Sequence, residues 1–350
     1  MELPGYFDEC AKALAGEPVL VTGGSGYVGQ HVCLRLRRAG LAVTLTCHPK
    51  RMPCLDGPLE GCVALPMDLG DPASIRNAVL AISPPPRAVV HCAGVRGGRY
   101  ELEPNLSHSI NVLGTENILD ALDRAWGNAG GYCFLFISTD IVYAGTKGQL
   151  LEENSSKLNP LSVYATHKLH IENMIRARVP NFCILRGPYI YGLPADYPRN
   201  TVKDQAFFLN LLEKLESGVA ASLFVDERRT PCHMDDCVEI IFRALLKFTA
   251  KPRALGSRVF NLTSGDSVTR YEFGSALCEI FGYDKALLQP IELIDTNMDV
   301  AGVKRKVIEQ VLLSNAIVKS ELLVEGHSIY EGLRKVASTH IPRPKMNETD

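Results

Sequence analysis

Short, almost wholly apolar runs alternate with longer amphipathic stretches through the first half of the chain. Pro18 to Val21, Ala42 to Cys47, Cys62 to Pro66, Ala88 to His91, Cys133 to Ser138 and Phe182 to Arg186 have few polar interruptions, as expected of parallel strands covered on both faces. Between them, Tyr27 to Ala39, Pro72 to Ala81, Asn105 to Trp126 and Val163 to Arg178 repeat apolar residues every three or four positions, which predicts helices. The alternation predicts an α/β fold on a doubly wound parallel sheet with right-handed crossovers. Past Gly192 the rhythm breaks at Pro194 and Pro198. It resumes with helices over Val202 to Leu215, Asp235 to Phe248, Arg270 to Phe281 and Ser328 to Ser338, and a strand over Arg258 to Leu262. The Asp235 helix and the Arg258 strand carry sheet-type burial, so the expected organisation is interleaved. A sheet domain over 1–186 is completed by about 233–263, a smaller lobe takes 187–232 and 264–340, and the Pro-rich end 341–350 is a flexible tail.

Composition narrows the partners. The 350 residues suffice for a large core in one α/β unit or two lobes. Lys and Arg number 37 against 39 Asp and Glu, a net charge of −2, with no long block of either sign; neither nucleic acid nor a membrane is implied as a partner. No apolar run approaches the roughly 20 residues that a bilayer crossing needs. The 11 cysteines are scattered without a Cys-x-x-Cys pair, and Met1 to Gly16 lacks a basic-then-apolar leader, so the expectation is a reduced, cytoplasmic, soluble protein. His167 and His170 are three apart and Cys232 precedes His233, but no third and fourth ligand follows at zinc-like spacing, and no metal is expected.

Chemistry enters directly after the first predicted strand, in Thr22-Gly23-Gly24-Ser25-Gly26-Tyr27-Val28-Gly29. Gly24, Gly26 and Gly29 fit Gly-x-Gly-x-x-Gly, in which missing β-carbons permit a tight turn, close approach of backbone to pyrophosphate and close packing of helix on strand. The N–H groups at the helix start then face the phosphates, and the sheet domain reads as Rossmann-type. A reader of the adenosine 2′-hydroxyl would be an acidic residue about 20 positions further on. That segment instead reads Thr46-Cys47-His48-Pro49-Lys50-Arg51, and the basic His48, Lys50 and Arg51 suit a 2′-phosphate. NADP(H) is favoured over NAD(H).

Thr22 to Gly29 resembles the Thr-Gly-x-x-Gly-x-x-Gly of short-chain dehydrogenases/reductases. Later segments resemble the extended branch of that superfamily in order and spacing: Met67-Asp68-Leu69, His91-Cys92-Ala93-Gly94, Asn111 to Thr115, Ile137 to Tyr143, Tyr164-Ala165-Thr166-His167-Lys168, Leu185 to Gly192, and Arg229 to Asp236. The resemblance covers about residues 17 to 335. Ser138-Thr139-Asp140-x-Val142-Tyr143, Pro160-Leu161-x-x-Tyr164 and Phe260-Asn261-Leu262 followed by Tyr271-Glu272 look most like the dTDP-4-dehydrorhamnose reductase family. That grouping includes the β regulatory subunit of methionine adenosyltransferase.

Tyr164 and Lys168 are four apart at the start of a predicted helix, which stacks them on one face. A nearby ammonium favours phenolate and brings a tyrosine from near 10 toward a useful range. Tyr143 and Lys147 repeat the spacing in a turn-like stretch and would not share a helical face. Thr139 ends the fifth strand, where open α/β sheets place ligands. The resemblance implies a catalytic triad of Thr139, Tyr164 and Lys168, with Lys168 also on the nicotinamide ribose. It implies a cofactor site of Gly23, Ser25, Gly26, Tyr27, Val28, Gly29, Asp68, Leu69, Cys92, Ala93 and Gly94, with Asp68 and Leu69 flanking adenine. On the substrate side it implies Arg186, Tyr189 and Arg229, arginine forks being suited to phosphate, together with Asp140, as a proton-transfer partner or a turn cap. Ile141 stands where sugar-nucleotide dehydratases carry glutamate, which removes the acid–base partner for dehydration. Asp236 reads as a helix cap and His233 as structural.

Three functions follow. The leading one is an NADP(H)-dependent oxidoreductase acting on a keto or hydroxyl carbon of a nucleotide-linked sugar. The others are an NADP(H)-binding regulatory subunit docking on a methionine adenosyltransferase catalytic subunit, and a nucleotide-sugar epimerase. The family's common homodimer, through the helices around Asn105 to Trp126 and Val163 to Arg178, is open to this chain, although monomeric members exist.

Overall fold

All six apolar runs form strands, and a seventh joins them. In the computed structural model, residues 5–340 are described except 56, 97–98, 128–130, 146, 155, 196–205, 251–257, 294–296, 301–302 and 307–308; the expected tail 341–350 and part of the Val202 helix lie outside the described residues. The strands are β1 (Pro18–Thr22), β2 (Ala42–Cys47), β3 (Val63–Pro66), β4 (Ala88–His91), β5 (Cys133–Thr139), β6 (Phe182–Gly187) and β7 (Val259–Asn261). They lie in the order β7-β6-β5-β4-β1-β2-β3, all parallel. The order in which strands are added reverses between β1 and β4, and such sheets bind ligands at the carboxyl ends of the strands beside that switch.

Strand alternation explains why the runs are continuously apolar. Val19, Val21, Cys133 and Leu135 face one layer, α1 (Tyr6–Ala13), α2 (Tyr27–Arg38) and a later helix, Met234–Ala250. Leu20, Phe134 and Phe136 face the other layer, α3 (Pro72–Leu80), α4 (Gly114–Trp126) and α5 (Val163–Arg178). With both faces covered, no position is left for a polar side chain except where chemistry or an ion pair requires one.

Helix α5 has the bounds expected of it. The expected helix Asn105 to Trp126 is instead a short helix Pro104–His108, a π-turn Ser109–Leu113 and then α4. The π-turn carries Asn111, whose amide holds the loop after β4. α1 had no counterpart in the periodicity of the sequence, although its Phe7 and Cys10 are buried.

Later in the chain come α6 (Phe207–Glu216), α7 (Met234–Ala250), α8 (Arg270–Phe281) and α9 (Ile329–Thr339). α8 and α9 open on capping boxes, Thr269 with Glu272 and Ser328 with Glu331. Their apolar faces meet α6 in a second core that includes Tyr191, Phe208, Phe273 and Leu333. Asn261 at the end of β7 ties a further small cluster, which includes Tyr143, Leu151 and Leu313, to the sheet. Its Nδ2 donates to Leu151 O and Ser314 O at 3.1 and 3.2 Å, its Oδ1 accepts from Tyr143 Oη at 2.9 Å, and its N–H donates to Glu153 Oε1 at 3.0 Å.

Candidate active site

The turn from β1 to α2 is shaped by contacts that admit only glycine. Gly23 has φ +68°, and a β-carbon there would stand 2.8 Å from Ala93 N and Cα. A β-carbon at Gly29 would fall on the carbonyl oxygen of Gly23. Helix α2 begins at Gly26 with no side-chain cap and no acidic residue in its first turn, which leaves its positive end open for an anion. Ser25 and Tyr27 brace this turn: Gln30 Nε2 donates to Ser25 O at 2.8 Å, and Tyr27 Oη donates to Gly192 O at 2.6 Å. Burial pushes the Tyr27 phenol well up, so it stays a donor. Val28 packs on the sheet core. The cradle fits a pyrophosphate.

At the end of β2, His48, Lys50 and Arg51 are exposed on a turn, and His48 Nδ1 accepts the Lys50 N–H at 3.2 Å. His48 Nε2 also lies 3.5 Å from Asp68 Oδ2, which joins the second and third strand ends at the rim. Leu69 meets the start of α4, where a β-carbon on Gly114 would be 2.8 Å from Leu69 O.

The end of β4 brings the segment Cys92-Ala93-Gly94 toward the tyrosine helix. His91 is buried between Thr22 Oγ1 at 2.6 Å and Thr115 Oγ1 at 3.0 Å. Thr115 donates its own proton to Asn111 O, so we assign the imidazole proton to Nε2 and the acceptor role to Nδ1. Burial and then the Lys168 charge hold this imidazole down to about 3, and it stays neutral. Beyond it, Cys92 is a thiol pushed up to about 12 by burial, Ala93 abuts Gly23, and Gly94 lies beside Asn111 and Lys168.

Tyr164 and Lys168 do share one face of α5. Ser162 Oγ accepts the Ala165 N–H at 3.1 Å, and Glu101 caps the same helix end, accepting the N–H of Val163 at 2.8 Å and of Tyr164 at 3.4 Å. The Lys168 ammonium is 5.7 Å from the Tyr164 ring centroid, 4.5 Å from that of Phe136, and donates to Ile137 O at 2.8 Å. Burial pulls it down to about 8. The expected lowering of the phenol by Lys168 is not what the geometry gives. Burial pushes Tyr164 up to about 12, Arg96 is the charge that pulls it back, and Asp140 pushes it further. Thr139 Oγ1 donates to Asp140 Oδ1 at 3.3 Å; burial raises the Asp140 carboxyl to about 6, against the lowering effect of Arg229.

The two expected substrate arginines have different fates. Arg186 is 1% exposed, with Nε and Nη2 on the two oxygens of Glu172 at 3.0 and 2.7 Å and Nη1 on Glu153 O at 3.3 Å. It does not face a substrate: its position in the strand alternation of β6 points it under α5, and a buried guanidinium needs a buried carboxylate. Arg229 instead lies near Asp140, but Glu227 holds it at 3.1 Å and holds Arg270 Nε at 2.7 Å. Arg270 covers the rings of Phe207 and Tyr189 at 4.3 and 5.1 Å. The buried Tyr189 hydroxyl makes no hydrogen bond among the described residues.

Sequence reasoning missed Glu101, Glu227 and Arg270. Glu227 is two residues before Arg229 in an extended segment, a spacing that puts both on one face. Nothing in the sequence linked Glu101 or Arg270 to positions far along the chain. Asp236 does not cap its own helix; it accepts the N–H of His327 at 2.8 Å and faces its Nδ1 at 2.6 Å, with buried His233 alongside. Burial holds His233 down to about 4.

Residues 17–314 match the family model described as the RmlD substrate binding domain. The chain belongs to this family. It is 23% identical over 280 residues to methionine adenosyltransferase 2 subunit beta of Xenopus tropicalis, covering 79% of this chain and 76% of that one. It is 26% identical over 290 residues to the "Probable low-salt glycan biosynthesis reductase Agl14" of Haloferax volcanii, covering 83% and 88%. The dTDP-4-dehydrorhamnose reductase of Bacillus anthracis, solved with NADP, superposes with TM-score 0.72 at 17% identity, over 93% of this chain and 100% of that one. UDP-glucose 4-epimerase of Thermus thermophilus, solved with NAD, gives 0.70 at 22%, over 92% and 98%. These superpositions establish that this RmlD-family chain shares the fold of those two proteins. No helix among the described residues is long and apolar enough to cross a membrane, and the buried cysteines of the sheet core, such as Cys33, Cys133 and Cys183, are free thiols.

Proposed function

We propose that this protein is an NADP(H)-dependent oxidoreductase of the extended short-chain dehydrogenase/reductase type, acting on a keto or hydroxyl carbon of a nucleotide-linked sugar. The observation that carries the reading is an unbroken series of close approaches: Gly23 against Ala93, Gly94 beside Lys168, and Lys168 on the same helical face as Tyr164. The glycine cradle and open α2 terminus would hold the pyrophosphate, Lys168 the ribose, and His48, Lys50 and Arg51 the 2′-phosphate. When bound, the nicotinamide supplies or accepts the hydride.

The chain's own residues handle the oxygen. A phenol held near 12 by burial is a proton donor at neutral pH, so Tyr164 gives its proton to the developing alkoxide of a ketone substrate while the Thr139 hydroxyl holds the same oxygen. The Lys168 ammonium, fixed by Ile137 O, adds positive field at the helix face. Asp140, buried near the Arg229 charge, accepts the Thr139 proton in this structure, and Thr139 turns that one proton from Asp140 to the substrate oxygen when substrate binds. A panel of nucleotide sugars followed by nicotinamide absorbance tests the reading. Net cofactor consumption supports it, sugar inversion without consumption points to epimerisation, and no dinucleotide binding ends it.

A second reading is favoured by the relatives named methionine adenosyltransferase 2 subunit beta: a dinucleotide-binding regulator of a methionine adenosyltransferase catalytic subunit. Stoichiometric co-elution with that catalytic subunit, without turnover of any sugar, would replace the first reading by this one.

A further inference from the structure

The structure assigns Glu172, with Ser138 and Arg186, a positioning role: they clamp the helix carrying Tyr164 onto the strand that ends in Thr139. This rests on the reading that Tyr164 and Thr139 act on one substrate oxygen. Tyr164, Lys168 and Glu172 recur every fourth residue on one face of α5. The first points to the site, the second donates to Ile137 O, and the third is fully buried. Ser138 and Arg186 are paired across neighbouring strands, so both point at Glu172. Ser138 Oγ donates to Glu172 Oε1 at 2.6 Å, and Arg186 takes both carboxylate oxygens through its planar fork. Arg186 is itself fixed from behind, by Glu153 O and by the Tyr143 ring 4.8 Å from its guanidinium carbon.

The consequence is geometric. α5 meets β5 at consecutive residues, Ile137 through Lys168 and Ser138 through Glu172, immediately before Thr139. A bidentate guanidinium–carboxylate pair resists both sliding and rotation, which a single hydrogen bond or an apolar contact does not. The pair therefore sets the helix's axial position, and with it the height of the phenol two turns away. A buried ion pair is weak evidence for added stability but is well suited to fixing register.

The test uses the full chain labelled with 3-fluorotyrosine, the Tyr164 fluorine resonance being identified by its loss in Tyr164→Phe. Ser138→Ala removes one tie and leaves the ion pair whole, so it keeps the fold; Arg186→Lys keeps the charge and loses the fork. Both should shift and broaden the Tyr164 line and leave exposed Tyr330 unmoved. The Kd for NADPH, read by its fluorescence, should change less than about threefold, because Lys168 keeps its own tie to β5. A Tyr164 line unchanged in folded Ser138→Ala overturns the proposal, as does broadening that spreads to Tyr330, which marks general loosening. The fluorine spectrum needs no ligand, so wild-type protein that fails to bind NADPH would sink the functional reading while the clamp is still decided by the line of Tyr164.

Discussion

Gly23 and Ala93 touch backbone to backbone, so closely that a β-carbon at Gly23 would stand 2.8 Å from Ala93 N and Cα. This contact joins the glycine turn after β1 to the end of β4, and neither side is the free end of a flexible side chain. Gly23→Ala must therefore push the two loops apart and strain a residue at φ +68°. The expected cost is about 1–3 kcal/mol of stability in urea unfolding, with the Kd for NADPH raised about tenfold or more. Gly131→Ala, where the added carbon meets nothing within 4 Å, should leave both unchanged.

Tyr164→Phe removes one hydroxyl and keeps the ring. Binding of NADPH should stay within about threefold, while turnover of whichever nucleotide sugar is consumed falls about 10²–10⁴-fold. Unchanged turnover would remove Tyr164 from the proton-transfer role.

Asp140 makes stability depend on pH with a definite sign. Its carboxyl is raised from 3.8 to about 6 in the folded protein, so the folded state binds the proton more tightly than the unfolded chain. Its contribution is fully present below the unfolded value and is lost as pH rises through about 6. Asp140→Asn should therefore be the more stable protein above pH 7, by at most roughly 3 kcal/mol, with the difference shrinking toward pH 4. Urea unfolding across that range measures it; a variant less stable than wild type above neutrality would show that the ionised carboxylate is worth more to Arg229 than its burial costs.

Lys50→Ala combined with Arg51→Ala removes two exposed cations from the turn after β2. The Kd for NADP(H) should rise about tenfold and lose part of its salt dependence, with NAD(H) changing less than about twofold. Fluorescence titrations with both dinucleotides decide it, and a wild-type preference for NAD(H) would defeat the assignment.

Much of this was legible in the residues, for identifiable reasons. The sheet strands and α5 follow from local periodicity, and the glycine turn follows from conformations and contacts only glycine allows. The tyrosine–lysine spacing implied a shared face, and the helix supplies it. Arg186 was misread because a cation beside a site motif looks the same whether it faces a ligand or a buried glutamate 14 residues earlier on another element. The π-turn at Ser109–Leu113 was invisible for a related reason: the apolar spacing continues through it, and its Asn111 side chain is bonded to Val95, a contact that spacing does not encode. The Glu101 cap likewise depends on a contact between positions 62 residues apart.

The stitching by Asn261 has an evolutionary implication. Its side chain bonds to segments that lie 110 residues before and 53 residues after it, besides Tyr143. Two of these partners are main-chain carbonyls, so a segment taken from a relative satisfies the buried amide only where its backbone brings a carbonyl to the same spot. Exchange of segments is thereby limited by the course of the backbone more than by the identity of its side chains.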